Sequence, residues 1–268
     1  MTASMFKPDQ LAASPPLPKA PGVLHALGLV LLYFLLQVCA AVLMGFAAGV
    51  REKMQHPQLS FADVHKHVMT VLQQPDSNAM LMVIALPLIA LLLFWLVRRS
   101  WPALWLQAEP PGFGFSAPGS PRWYFAALLV GVVMPLLGAL ITQLLAQGHE
   151  VTQNVQELSR HASGKLRLPL AIVAVSVGPM VEELMFRGVL LSALLRRMAT
   201  GPSIALCAAL FGVVHLAGLD FQWYALPNLM LLAAVLCWLR LKSGSLWPAI
   251  LAHGLYNMFA LVALFAQA

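Results

Sequence analysis

Of the 268 residues, 60% are hydrophobic and only 10% are charged, with a mean hydropathy of +0.80. That composition excludes an ordinary soluble domain, because several apolar runs reach the ~20 residues that span a bilayer. The net charge of +6 is then a matter of membrane topology and does not point to a nucleic-acid partner.

Residues 1–21 are polar and Pro-rich, with Lys7 and Lys19 as their only basic residues. They lack the apolar core and cleavage site of a signal peptide and read as a disordered lead. The first apolar run, Val23–Val50, is expected to be an uncleaved span. Between Arg51 and Asn78 the chain turns polar, yet Phe61, Val64, Val68, Val71 and Leu72 recur at helical spacing behind Ser60-x-x-Asp63. This predicts an amphipathic helix lying at the interface. His65 and His67 flank Lys66, but alternate positions on a helix point apart and make a poor metal site.

The second span, Ala79–Val97, ends at Arg98-Arg99. A Pro/Gly-rich connection follows to Arg122, with Trp101, Trp105 and Trp123 placed for the headgroup level. The third span is read as Trp123–Ala146, and Gly148–Arg167 as a second polar excursion with a short surface helix around Val151, Val155 and Leu158. The fourth span runs from Pro169 to Leu195. Gly201-Pro202-Ser203 is read as a tight turn into the fifth, Ile204–Leu219. The sixth is Leu226–Leu241, and the seventh begins at Leu246. Cys39, Cys207 and Cys237 fall inside spans at no ligand spacing and read as small apolar residues.

The expectation is an all-α, polytopic transmembrane helix bundle of seven or eight membrane helices. It divides into the lead (1–21), two N-terminal membrane helices with interfacial connections (22–122) and a core (123–268). With seven spans, Lys7, Lys19, Arg98, Arg99, Arg122, Arg196, Arg197, Arg240 and Lys242 fall on one side of the membrane. Arg51, Lys53, Lys66, Arg160, Lys165 and Arg167 fall on the other. The positive-inside rule then places the N-terminus in the cytoplasm of a cell-membrane protein.

Within the spans, Glu182, Glu183 and Arg187 stand out. A charge at the bilayer centre costs about 2.5–3.5 kcal/mol on insertion scales, so such groups mark function by default. Glu183 and Arg187 are four apart, acid first, and share a helix face as a pair. Glu182 points about 100° away and has no partner in its own turn. Pro179 is expected to kink the helix one turn earlier. His215, on the face of Phe211, and His253, on the face of Asn257, add two imidazoles and an amide at membrane depth from two other helices.

Glu-Glu-x-x-x-Arg preceded by Pro179, then Phe-x-x-x-His, then His-x-x-x-Asn after Ser-Leu-Trp-Pro, resembles the CPBP family over roughly residues 123–265. These are CAAX-type intramembrane endopeptidases and bacteriocin-processing relatives. The resemblance implies peptide hydrolysis in the membrane without a covalent intermediate or a cofactor. It implies Glu182 as general base, His215 as holder of the water, and His253 and Asn257 as oxyanion donors. Glu183 and Arg187 would hold the site in shape. The implied partners are the bilayer and a peptide or membrane-protein substrate. Two other readings stay open: zinc held by Glu182, His215 and His253, and a non-enzymatic scaffold or immunity protein. A transporter fits less well, since neither repeat symmetry nor acids spread over several helices is evident.

Overall fold

The computed structural model describes residues 19–148 and 161–265, with side chains as far as Val262. The expected lead up to residue 18 and the surface helix around Val151, Val155 and Leu158 lie outside the described residues. Within them every regular element is helical. The main helices are α1 (Val23–Gln55), α2 (Phe61–Leu72), α3 (Pro75–Ser100), α4 (Arg122–Ala146) and α5 (Gly164–Leu195). They continue as α6 (Thr200–His215), α7 (Leu226–Ser243) and α8 (Trp247–Phe265).

Five stretches are long and apolar enough to cross a membrane: α1, α3, α4, α5 and α7 with its preceding turn. Helices α6 and α8 are shorter apolar helices. This is an integral membrane protein, and the side chains at its rim agree. Large apolar residues such as Leu43, Phe46, Leu91, Leu136 and Leu144 face outward on α1, α3 and α4, where lipid is the solvent.

Helix α5 forms the axis. From Val181 to Leu194 every residue is buried except Glu182, which is only partly so. A helix apolar nearly all round belongs inside a bundle, and α1, α3, α6, α7 and α8 all pack on it. Helix α4 stands outside this ring, against α7 and α8. Helix α2 is the amphipathic helix expected from its pattern, packed on α1. Ser60 Oγ accepts from Asp63 N–H at 3.2 Å, Val64 and Val68 are buried towards Gly49 of α1, and Phe61 stays exposed. His67 turns to Glu52 of α1 at 3.0 Å, so the two histidines of that segment do not converge.

Three sequence expectations need correction. Gly201-Pro202-Ser203 is not a turn but the first turn of α6, where proline's missing N–H costs nothing. Helix α5 starts at Gly164, not Pro169. Arg240, counted with the loop charges, is an almost fully buried residue of α7. Its Nη1 donates to Ala108 O and its Nη2 to Gly112 O, both at 2.7 Å. The guanidinium therefore folds the connection 101–121 back onto the bundle. Gly114 sits at φ +77° with the guanidinium where a Cβ would be. Ser192 Oγ also donates to Gly112 O at 3.2 Å, and Leu246 N–H donates to Gly114 O at 2.7 Å.

Arg240→Ala is expected to strip Ala108 O of its partner, to leave Gly112 O with Ser192 Oγ alone, and to lower stability by about 1.5–3 kcal/mol per charged hydrogen bond lost. Thermal unfolding in detergent reads this directly. Arg240→Lys should restore less than half, because one ammonium does not span both carbonyls as the planar fork does.

Candidate active site

Pro179 has no N–H, so the carbonyl of Val175 lacks its partner within α5. The residues before it, Val173–Val177, open into a π turn in which Gly178 N–H bonds to Val173 O. Ala174 O is thereby released as well. Helix α8 covers both oxygens. Asn257 Nδ2 donates to Ala174 O at 2.9 Å. Gly254 lies so close over Val175 O that any Cβ there would overlap it. The expected kink is thus a π turn read by two residues of α8, one turn of helix apart.

The two acids that follow have separate fates. Glu183 is fully buried, and its Oε1 accepts from Arg187 Nη1 at 2.9 Å. The same oxygen lies 2.8 Å from His253 Nδ1. A carboxylate paired with arginine accepts only, so Nδ1 carries the proton of this bond. Arg187 also donates from Nη2 to Ala233 O at 3.2 Å, and its guanidinium stands 4.4 Å from the Phe211 ring centre. A buried pair is tolerable when hydrogen bonds and a π face replace the lost water.

Glu182 instead enters a cavity of about 480 Å³ lined by α1, α3, α5, α6, α7 and α8. Its Oε2 lies 3.7 Å from His215 Nε2 and 3.8 Å from His253 Nε2. His215 is oriented by its Nδ1, which lies 2.7 Å from Phe211 O; a carbonyl only accepts, so this nitrogen too is protonated. When neutral, both rings therefore turn an Nε2 lone pair towards Glu182. Separations beyond 3.5 Å suit an intervening small molecule better than direct bonds.

The structure thus brings Glu182, His215, His253 and Asn257 to one cavity, with Glu183 and Arg187 directly behind. Spacing along the chain did not reveal that His253 touches both carboxylates, nor that Asn257 spends one N–H on Ala174. Phe211 is a platform shared by both rings, 4.5 Å from that of His215 and 5.8 Å from that of His253. The Phe-x-x-x-His face hinted at the first contact and not at the second.

Residues 164–259, from the start of α5 into α8, match the family described as Rce1-like, type II CAAX prenyl endopeptidase. This segment is an Rce1-like domain. The family is one of peptidases, and all six residues above lie inside the matched stretch. No curated protein and no solved structure matches the chain.

Removing one partner of the buried pair leaves the other charge uncompensated, at a cost of about 3–5 kcal/mol. Glu183→Gln and Arg187→Met should each lower the unfolding temperature markedly. The double variant should be more stable than either single one, since no lone charge is left. Purely additive losses in that cycle would count against the coupling.

Proposed function

We propose that this protein is an intramembrane endopeptidase that hydrolyses a peptide bond with water activated by Glu182. The observation that carries this reading is that, of the residues in the buried run Val181–Leu194 that line the cavity, Glu182, Met185 and Phe186, only Glu182 is ionisable, and it faces two imidazole nitrogens. In the step proposed, the water gives one hydrogen bond to Glu182 and the other to His215 Nε2. Glu182 takes the proton as hydroxide adds to the scissile carbonyl carbon. The carbonyl oxygen becomes an oxyanion, and the proton then passes from Glu182 to the departing amine as the C–N bond breaks.

Asn257 retains one N–H after bonding Ala174 O, and that hydrogen is suited to the oxyanion. His253 can donate from Nε2 only as the imidazolium, because its Nδ1–H is directed at Glu183. Glu183 and Arg187 act by fixing His253 and the register of α5. The protease core proposed for residues 123–268 takes α1 and α3 as additional walls. For orientation we propose a cytoplasmic N-terminus in a cell membrane. Ala20 and Pro21, the 101–121 connection and Arg196 lie at one end of the bundle with most of the short-loop basic residues.

The two inward Nε2 lone pairs also support a second reading, in which Glu182, His215 and His253 are donors to zinc. Among the described residues no group of three His, Cys, Asp or Glu side chains is arranged to hold a metal. Zinc content per purified chain, in wild type and His253→Ala, separates the two: near-stoichiometric metal lost in the variant would overturn the metal-free mechanism.

Glu182→Gln should insert and purify normally yet lose about a hundred- to ten-thousand-fold in turnover. A suitable probe is an internally quenched peptide ending in a CAAX sequence, offered with and without a prenyl group. Asn257→Ala should lower turnover by about a hundred- to a thousand-fold with KM little changed, as expected of a group used mainly in the transition state. Turnover by Glu182→Gln above a tenth of wild type would remove Glu182 from the base role.

A further inference from the structure

Gln37 is the sole side-chain amide in the apolar run Val23–Val50. An amide in that position is expensive unless hydrogen-bonded, and in membrane helices it usually fastens one helix to another. Gln37 does not. Its partners stay on its own helix: Nε2 makes a long contact, 3.5 Å, to Tyr33 O, and the amide also meets the Tyr33 hydroxyl. Its side chain lines the same cavity as Glu182, His215 and His253. One turn back, the largely buried Tyr33 lines that cavity too, with its hydroxyl beside Gln37 and within electrostatic reach of Glu182.

We propose that Gln37 and Tyr33 form a substrate-binding wall that hydrogen-bonds the main chain of the peptide lying against Glu182. The proposal rests on the peptidase reading and names two positioning residues for it, both outside the matched domain. A peptide drawn into an apolar cavity must exchange its water for other partners at each N–H and C=O. The catalytic residues can satisfy only the groups at the scissile bond. The Tyr33 hydroxyl and the Gln37 amide lie side by side, so together they face one peptide group flanking the scissile bond. An amide supplies both donor and acceptor for this, and a phenol supplies one of each.

Helix α1 is held where this requires. It packs along the Leu184–Leu190 segment of α5, and its N-terminal end is tied to α5 by Arg196 Nη1, which donates to Ala20 O at 3.2 Å. The wall is thus fixed to the helix that carries the base.

The test uses the quenched CAAX peptide and Gln37→Met, which keeps length and removes hydrogen bonding. Expected are unchanged or higher thermal stability, KM raised about tenfold and kcat nearly unchanged. Tyr33→Phe should act in the same direction. A series of the same peptide with single backbone N–H groups replaced by ester oxygens identifies the bonded position. Wild type should be penalised at one site flanking the scissile bond, and Gln37→Met should abolish that penalty. Unchanged KM in Gln37→Met, or a lower unfolding temperature showing a helix-fastening role, would overturn the proposal while leaving Glu182 in place. Failure of the wild type to cleave either form of the peptide would overturn the peptidase reading and this wall with it.

Discussion

The site depends on one buried oxygen, Oε1 of Glu183, which Arg187 and His253 share at 2.9 and 2.8 Å. Adjacent residues on a helix diverge by about 100°. Fixing Glu183 against Arg187 therefore fixes where Glu182 points. The same bond settles which nitrogen of His253 faces the cavity. One carboxylate is consumed to orient the other, and the consumed one is sealed from the cavity by burial. Two neighbouring acids in an apolar helix would otherwise compete for the same arginine and leave neither with a defined geometry.

The backbone contributes the second constraint. Proline in a membrane helix frees a carbonyl, and such a group needs a partner from a neighbouring helix. Here the π turn before Pro179 releases Ala174 O as well as Val175 O, and α8 meets them with Asn257 and Gly254. Because Asn257 and His253 share a face of α8, docking that helix on the π turn also sets His253 at its distance from both acids. The helix break and the side-chain cluster are thus one arrangement, held from opposite ends of a single turn of α8.

The sequence showed this unevenly. Seven apolar helices and the Glu183–Arg187 pairing were legible, because they follow from hydropathy and helical periodicity, which are local. The grouping of Glu182, His215, His253 and Asn257 in one site was implied by the family resemblance, since periodicity places residues on a face of one helix and not against another helix. Arg240 was misassigned because a charge near a span's end usually reaches the interface. Only the folded 101–121 connection supplies the carbonyls that hold it inside. The Gly-Pro-Ser stretch at 201–203 was misread for a related reason. Proline starts a helix as readily as it breaks one, and the deciding turn was upstream at 196–199. The double contact of His253 with the acids needed the relative height of α5 and α8, which no spacing along one chain encodes.

The chemistry and the cavity come from different parts of the chain. Glu182, His215, His253 and Asn257 all lie in the Rce1-like segment, on helices whose positions are locked by buried polar bonds. The wall facing them is built by α1 and α3, which precede that segment and expose most of their other faces to lipid. Residues on those faces can change without disturbing the Glu183–Arg187–His253 bonds, since none of the three partners comes from α1 or α3. Of the α1 residues that line the cavity, Tyr33 and Gln37 have side chains able to hydrogen-bond a peptide. A bundle arranged in this way can keep one hydrolytic centre while its first helices decide which chains reach it.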